Sequence, residues 1–217
     1  DWSSDVCSSD LPSQIIIEVN NSRSWHTNIF EVLVERENKA NQYANNSSVP
    51  KRNKKRFRSI VKAKYKKAVT IENEFPSGYF ALDKWSNKHQ ASLITVIKGD
   101  KSAKIWNESI LDSIDKKTDV VLMSMNHWMN GTKINIKSIG DKCHQLGVTF
   151  IVDATQLAGA FPINVVDFKV DALICAGYKW LFGPYSMAIG YFSSKFSDGI
   201  PIEESWMNRT NAIEFSK

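Results

Sequence analysis

From Ala68 onward, short apolar runs alternate with amphipathic stretches of helical period. The runs at 68–72, 92–97, 120–125, 149–152, 172–176 and 188–192 predict strands, and the stretches at 78–89, 105–114, 136–146 and a short one from Thr155 predict helices. Several of the strand runs, such as VVLM and TFIV, are apolar with little alternation. That pattern suits strands covered by helices on both faces. The expected fold class is therefore α/β, three-layer αβα around a mostly parallel sheet. Ligands in such sheets sit beyond the carboxyl ends of the strands, so candidate chemistry is sought there.

Two strand ends carry it. The run TFIV leads straight into Asp153, Ala154, Thr155 and Gln156, which delivers a carboxylate and an amide together. Asp153 is a candidate partner for a cationic ring nitrogen; its alternative is to cap the helix that follows. The run DALICAG leads to Tyr178, Lys179 and Trp180. A lysine between bulky aromatics at the end of an apolar strand is partly desolvated, which frees its amine for Schiff-base chemistry. The alternative is a snorkelling lysine whose stem packs on Trp180. The spacing of Asp153 and Lys179 brings the two to neighbouring strand ends.

Composition narrows the field. Three cysteines, Cys7, Cys143 and Cys175, lack metal-ligand spacing, and an odd number suits reduced thiols. No zinc site, metal or structural disulfide is expected. No apolar run approaches the roughly 20 residues of a membrane span, and the N-terminus lacks the pattern of a secretory signal, so a cytoplasmic setting is expected.

The net charge of +5 comes mostly from KRNKKRFRSIVKAKYKK, which ends at Lys67. A basic run with Phe57 and Tyr65 interspersed is a candidate nucleic-acid-binding segment at 51–67. Its alternative is a solvated face, the usual state of blocks of like charge. The first eleven residues, DWSSDVCSSDL, follow neither periodicity and resemble translated sequencing-adapter sequence. The expected organisation is residues 1–11 as an artefact, 12–67 as an atypical polar and basic segment containing a β-branched run at 15–19, and 68–217 as the ordered part.

The stretch VDATQLAGAFPINVVDFKVDALICAGYKWLFGPYSMAIGYF resembles the cofactor-binding core of class V aminotransferases. That group includes cysteine desulfurases, kynureninases and isopenicillin N epimerase-like proteins. The resemblance covers most of residues 68–209 and implies a fold type I, pyridoxal 5'-phosphate-dependent enzyme acting on an amino-acid substrate by transaminase, lyase or epimerase chemistry. It implies that Lys179 holds the cofactor covalently, that Asp153 keeps the pyridinium nitrogen protonated so the ring acts as an electron sink, and that Gln156 bonds the neighbouring ring oxygen. Tyr178 would donate to the cofactor phosphate.

In SMNHWMNGTKINI, the resemblance puts Trp128 where desulfurases usually carry Asn, so Trp128 packs beside the cofactor instead of bonding it. His127 beside it is a candidate acid–base group, since histidine titrates near neutrality; its alternative is a structural, hydrogen-bonded role. EFPSGYFALDKW and GIPIEESWMNR fit the same group more weakly.

The resemblance also implies a phosphate-binding turn upstream, which is not legible between Pro12 and Lys67, and a small C-terminal domain with a substrate-binding arginine. The expectation is a partial large domain of a protein that is a homodimer at full length. A truncated non-catalytic remnant is the alternative. Among the reactions, desulfuration needs a mobile cysteine, and Cys143 and Cys175 fall in a helix and a buried strand.

Overall fold

The computed structural model describes residues 67–196 and the backbone of residues 13–19. Its centre is a seven-stranded sheet. The strands are β1 (Ser13–Val19), β2 (Lys67–Ile71), β3 (Ser92–Val96), β4 (Thr118–Ser124), β5 (Thr149–Asp153), β6 (Ala172–Ala176) and β7 (Met187–Ser193). In space they run β1-β7-β6-β5-β4-β2-β3. The block β3-β2-β4-β5-β6 is parallel throughout. β7 pairs antiparallel with β6, and β1 antiparallel with β7. The β-branched run at 15–19 thus enters the same sheet as the later strands, paired from Ser13↔Ser193 to Val19↔Met187.

Three helices cover the sheet: α1 (Pro76–His89), α2 (Ala103–Ser113) and α3 (Ile136–Leu146). Alternation along the strands sorts them between faces. Val121 and Met123 share one buried cluster with Val69, Ile71, Phe150 and Val152, and with Trp106 and Ile110 of α2 and Ile139 and Cys143 of α3. Leu122 points the other way, and a Cβ added at Gly78 of α1 would lie 3.0 Å from Leu122 Cδ2. One face therefore carries α2 and α3 and the other α1, which is the three-layer arrangement the apolar strands predicted.

Local chemistry sets the helix ends. Ser102 accepts Ile105 N at 3.3 Å to start α2, and Asn135 accepts Ser138 N at 3.2 Å to start α3. Gly147, at φ 72°, ends α3 in the left-handed conformation that glycine adopts without strain. α1 has no side-chain cap and begins instead on Pro76, whose fixed φ suits the first turn.

The core is filled by aromatic and branched residues. Trp106 is fully buried and still satisfies its indole N–H by donating to Val96 O at 3.1 Å.

The predicted strands form within two residues of the expected bounds. The short helix expected from Thr155 does not form: residues 155–160 make a run of turns. Leu157 N and Ala158 N both bond Ala154 O, and the chain then turns again at Gly159, φ 94°, before a helix can propagate. The basic segment 51–66 and the GIPIEESWMNR stretch lie outside the described residues, as does Cys7.

Candidate active site

Strand order reverses once in the parallel block. β2 leads to β3 on one side, and the chain then crosses back to β4 and continues through β5 and β6 on the other. The reversal lies between β2 and β4, and crevices in α/β sheets form at such points, outside the carboxyl ends.

Polar bonds concentrate there. After β2 the chain passes through Glu72, Asn73 and Glu74, with Asn73 in the left-handed region at φ 49°, which asparagine tolerates. Ser124, at the end of β4, donates its N–H to Glu74 Oε2 at 2.7 Å and its hydroxyl to Oε1. His127 Nε2 lies 3.0 Å from Glu72 O, and Trp128 Nε1 donates to Asn73 O at 2.7 Å. The turn after β2 is thereby tied to the end of β4 by side chains from both partners.

His127 is buried. A carbonyl only accepts, so Nε2 is the nitrogen that carries the hydrogen in this contact. Nδ1 is buried and has no hydrogen-bond partner among the described residues. The Trp106 ring meets the imidazole edge-on at 5.7 Å. The structural role weighed for His127 is therefore present.

The Trp128 indole N–H is committed to the Asn73 carbonyl, and its ring stands edge-to-face with Phe75 at 5.8 Å. The pair forms an aromatic wall on the β4 side.

β5 lies between β4 and β6 and ends on Asp153, which is 8% exposed. Its Oδ1 accepts Thr155 N at 2.9 Å in a turn, and no helix follows for it to cap. Met125 N donates to Asp153 O at 3.0 Å and Ala154 N to Ile174 O at 2.7 Å, which fix the strand end on both sides. Gln156 follows, partly buried.

On β6, Asp153 is in register with Ile174, and Ala176 N donates to Thr155 Oγ1 at 3.1 Å. The chain then closes a loop: Gly177 N bonds Met187 O, Gly183 N bonds Gly177 O and Phe182 N bonds Lys179 O. Lys179 is partly buried in it, with Nζ 5.9 Å from the centre of the Tyr178 ring. Tyr178 itself stacks on Tyr185 at 4.5 Å.

Cys175 lies near the end of β6 and is buried. Burial pushes its thiol up to about 11; the Asp153 charge adds to this and Lys179 opposes it. Asp153 also acts on Glu74, whose carboxyl is raised chiefly by burial and further by that neighbouring charge.

Asp153, Thr155, Cys175 and Lys179 are thus gathered across two neighbouring strand ends. His127 and Trp128 sit across β4, bonded toward β2. Glu74, Phe75 and Thr155 carry no legible role in the sequence alone. The signal available for Glu74 is a carboxylate three residues past a buried strand and two residues before a helix-starting proline.

A family model described as aminotransferase class-V matches residues 54–205. The chain belongs to that family. Members of this class-V family are pyridoxal-phosphate-dependent enzymes. Similar curated proteins are the cysteine desulfurases IscS of Edwardsiella ictaluri and of Pasteurella multocida, each 37% identical over 81 residues. Those residues make up 36% of this chain and 20% of each relative, so the matched part spans about a fifth of the relatives' length.

Among solved structures, the apo cysteine desulfurase of Thermococcus onnurineus NA1 aligns with a TM-score of 0.60 at 20% identity, over 88% of this chain and 41% of that one. Ureidoglycine-glyoxylate aminotransferase of Bacillus subtilis aligns with a TM-score of 0.57 at 19% identity, over 85% and 40%. At these identities the likeness establishes the fold. Among the described residues no helix is long and apolar enough to cross a membrane, and no group of His, Cys, Asp and Glu could hold a metal ion.

Proposed function

We propose that this chain carries the pyridoxal-phosphate site of an enzyme that acts on an amino acid, built on Asp153 and Lys179. The observation that supports the reading is that β5 ends on Asp153 and its parallel neighbour β6 leads, three residues past its end, into the loop of Lys179. The side chains fit the cofactor: a buried carboxyl for a cationic ring nitrogen, and a lysine one strand away for its aldehyde. When bound, the cofactor supplies an electron-accepting ring.

The protein supplies the rest. Asp153 holds a proton on the ring nitrogen, and its own position is fixed by Thr155 N and by main-chain bonds to β4 and β6. Lys179 Nζ would hold the cofactor covalently and, once the substrate amine had displaced it, would be the base that takes the proton from the substrate α-carbon. Gln156 would bond the ring oxygen and Tyr178 the phosphate. Trp128 with Phe75 walls the site on the β4 side. An amino-acid substrate and a homodimeric assembly come with this reading.

The reaction type we assign is of the transaminase, lyase or epimerase kind. Desulfuration is disfavoured for the described residues, because both of their cysteines are buried with thiols raised by that burial.

The test is an absorbance spectrum of the purified chain with pyridoxal phosphate, set beside Lys179→Ala. A visible band that survives dialysis in the unaltered chain and is absent from the variant is expected. No retained band in a folded chain, or the same band in both proteins, overturns the reading.

A further inference from the structure

Glu74 is a buried carboxyl that the proposed chemistry does not use, and it stands at the strand-order reversal. It is 5% exposed, yet its oxygens collect donors from two elements. Phe75 N donates to Oε1 at 2.7 Å, Ser124 N to Oε2 at 2.7 Å, and the Ser124 hydroxyl to Oε1. A carboxylate taken out of water is tolerated only when its lone pairs are filled in this way.

The bonds continue toward Asp153. Ser124 is the register partner of Asp153 across β4 and β5, and the next residue, Met125, donates its N–H to Asp153 O at 3.0 Å. The same carboxyl also fixes the main chain of Phe75, whose ring stands against Trp128.

We infer that Glu74 is a positioning residue for Asp153, gripping through Ser124 the strand end to which the Asp153 main chain is bonded. This rests on the cofactor reading above, in which Asp153 is the carboxyl beneath the ring nitrogen. The arrangement explains why a carboxylate occupies the crevice between β2 and β4. A neutral side chain of similar size offers fewer acceptors to the three donors that meet there.

Charge coupling agrees with the geometry, since the Asp153 charge acts on Glu74 in the direction expected of a near like charge. The other titratable groups at this end of the sheet are His127 and Glu72, whose carboxyl is lowered chiefly by main-chain bonds from Gly99 and Lys98, with Cys175 and Lys179 on the β6 side.

The test uses the full chain and three measurements. Without cofactor, the Glu74 carboxyl is titrated by carbon NMR in the unaltered chain and in Asp153→Asn; removing the like charge lowers its midpoint. In Glu74→Gln and Glu74→Ala, amide exchange at Ser124 and Met125 is expected to rise about tenfold while Val121 and Phe150 stay protected, because a strand end loses its acceptor but the core does not. Retention of pyridoxal phosphate falls about tenfold in Glu74→Ala and less in Glu74→Gln, which keeps the shape and one acceptor.

An unmoved Glu74 midpoint overturns the inference. So does loosened exchange with undiminished cofactor retention, which reduces Glu74 to a strand clasp. If the unaltered chain retains no cofactor, the functional reading falls, and the first two measurements still decide whether Glu74 positions Asp153.

Discussion

The Thr155 hydroxyl accepts the main-chain N–H of Ala176 at 3.1 Å, joining the turn after Asp153 to the strand end that leads to Lys179. Thr155 is 7% exposed, so water does not replace the bond readily. Thr155→Val keeps the shape and leaves that N–H unpaired, which costs about 1–3 kcal/mol. Thr155→Ser restores the acceptor. Thermal melts are expected to rank the proteins unaltered, Ser, then Val, with the Lys179-dependent band weakened in the Val variant. Equal melts for Ser and Val would show that the hydroxyl bond contributes nothing.

Gly159 performs a second joining task. It has φ 94°, and a Cβ there would lie 2.5 Å from Trp180 O, one residue past Lys179. Both the backbone conformation and the missing side chain are needed for the turns at 155–160 to pass the lysine loop. Gly159→Ala is expected to push that loop aside and abolish cofactor retention while far-ultraviolet circular dichroism stays close to that of the parent. Full retention in the variant would mean the loop has room the geometry denies.

Asp153→Asn separates charge from scaffold. The amide oxygen still accepts Thr155 N, so the turn survives and stability changes by about 1 kcal/mol or less. What is lost is the negative charge for a protonated ring nitrogen, a charge-assisted bond, and cofactor retention is expected to fall about tenfold or more. Parallel melting curves and dialysis measure the two effects. A large drop in melting temperature with unchanged retention would make Asp153 a structural cap alone.

Much of this was legible in the sequence, for identifiable reasons. The parallel strands are apolar on both faces, so runs such as those containing Val121 and Phe150 stand out without alternation, and the ends of those runs located Asp153 and Lys179. Periodicity failed where a tertiary contact decides: the residues after Thr155 look helical, and Gly159 turns the chain to let Trp180 past. It was also silent on Glu74. A lone glutamate reads as solvent-facing until the fold brings Ser124 against it, and that pairing spans two strands far apart in sequence. At His127 the structural role is the one visible in the fold, with Nε2 bonded to Glu72 O. Trp128 was expected beside the cofactor, and its bond to Asn73 O shows how its indole is held in place.

The buried thiols give a pH dependence whose sign follows from their environment. Burial pushes Cys143 up to about 12 and Cys175 up to about 11, with the Asp171 and Asp153 charges adding to the respective shifts. An unfolded thiol titrates near 8.5. The folded state therefore holds protons that the unfolded state releases. Stability from this source is whole below the unfolded value and declines as pH rises from there toward 11 and 12. While both thiols are ionised only in the unfolded chain, each contributes a slope of about 1.4 kcal/mol per pH unit. Lysine and tyrosine titrate in the same range, so the measurement is a difference: urea melts at pH 8 and pH 10 for a Cys7→Ser parent and for the same chain with Cys143→Ala added. The added substitution is expected to destabilise at pH 8 through the lost packing and to shrink the drop between the two pH values. Thiol-labelling at pH 8 gives the companion result, with no reaction at Cys143 or Cys175 until the chain unfolds. An unchanged pH drop together with rapid native-state labelling would place these thiols outside the core.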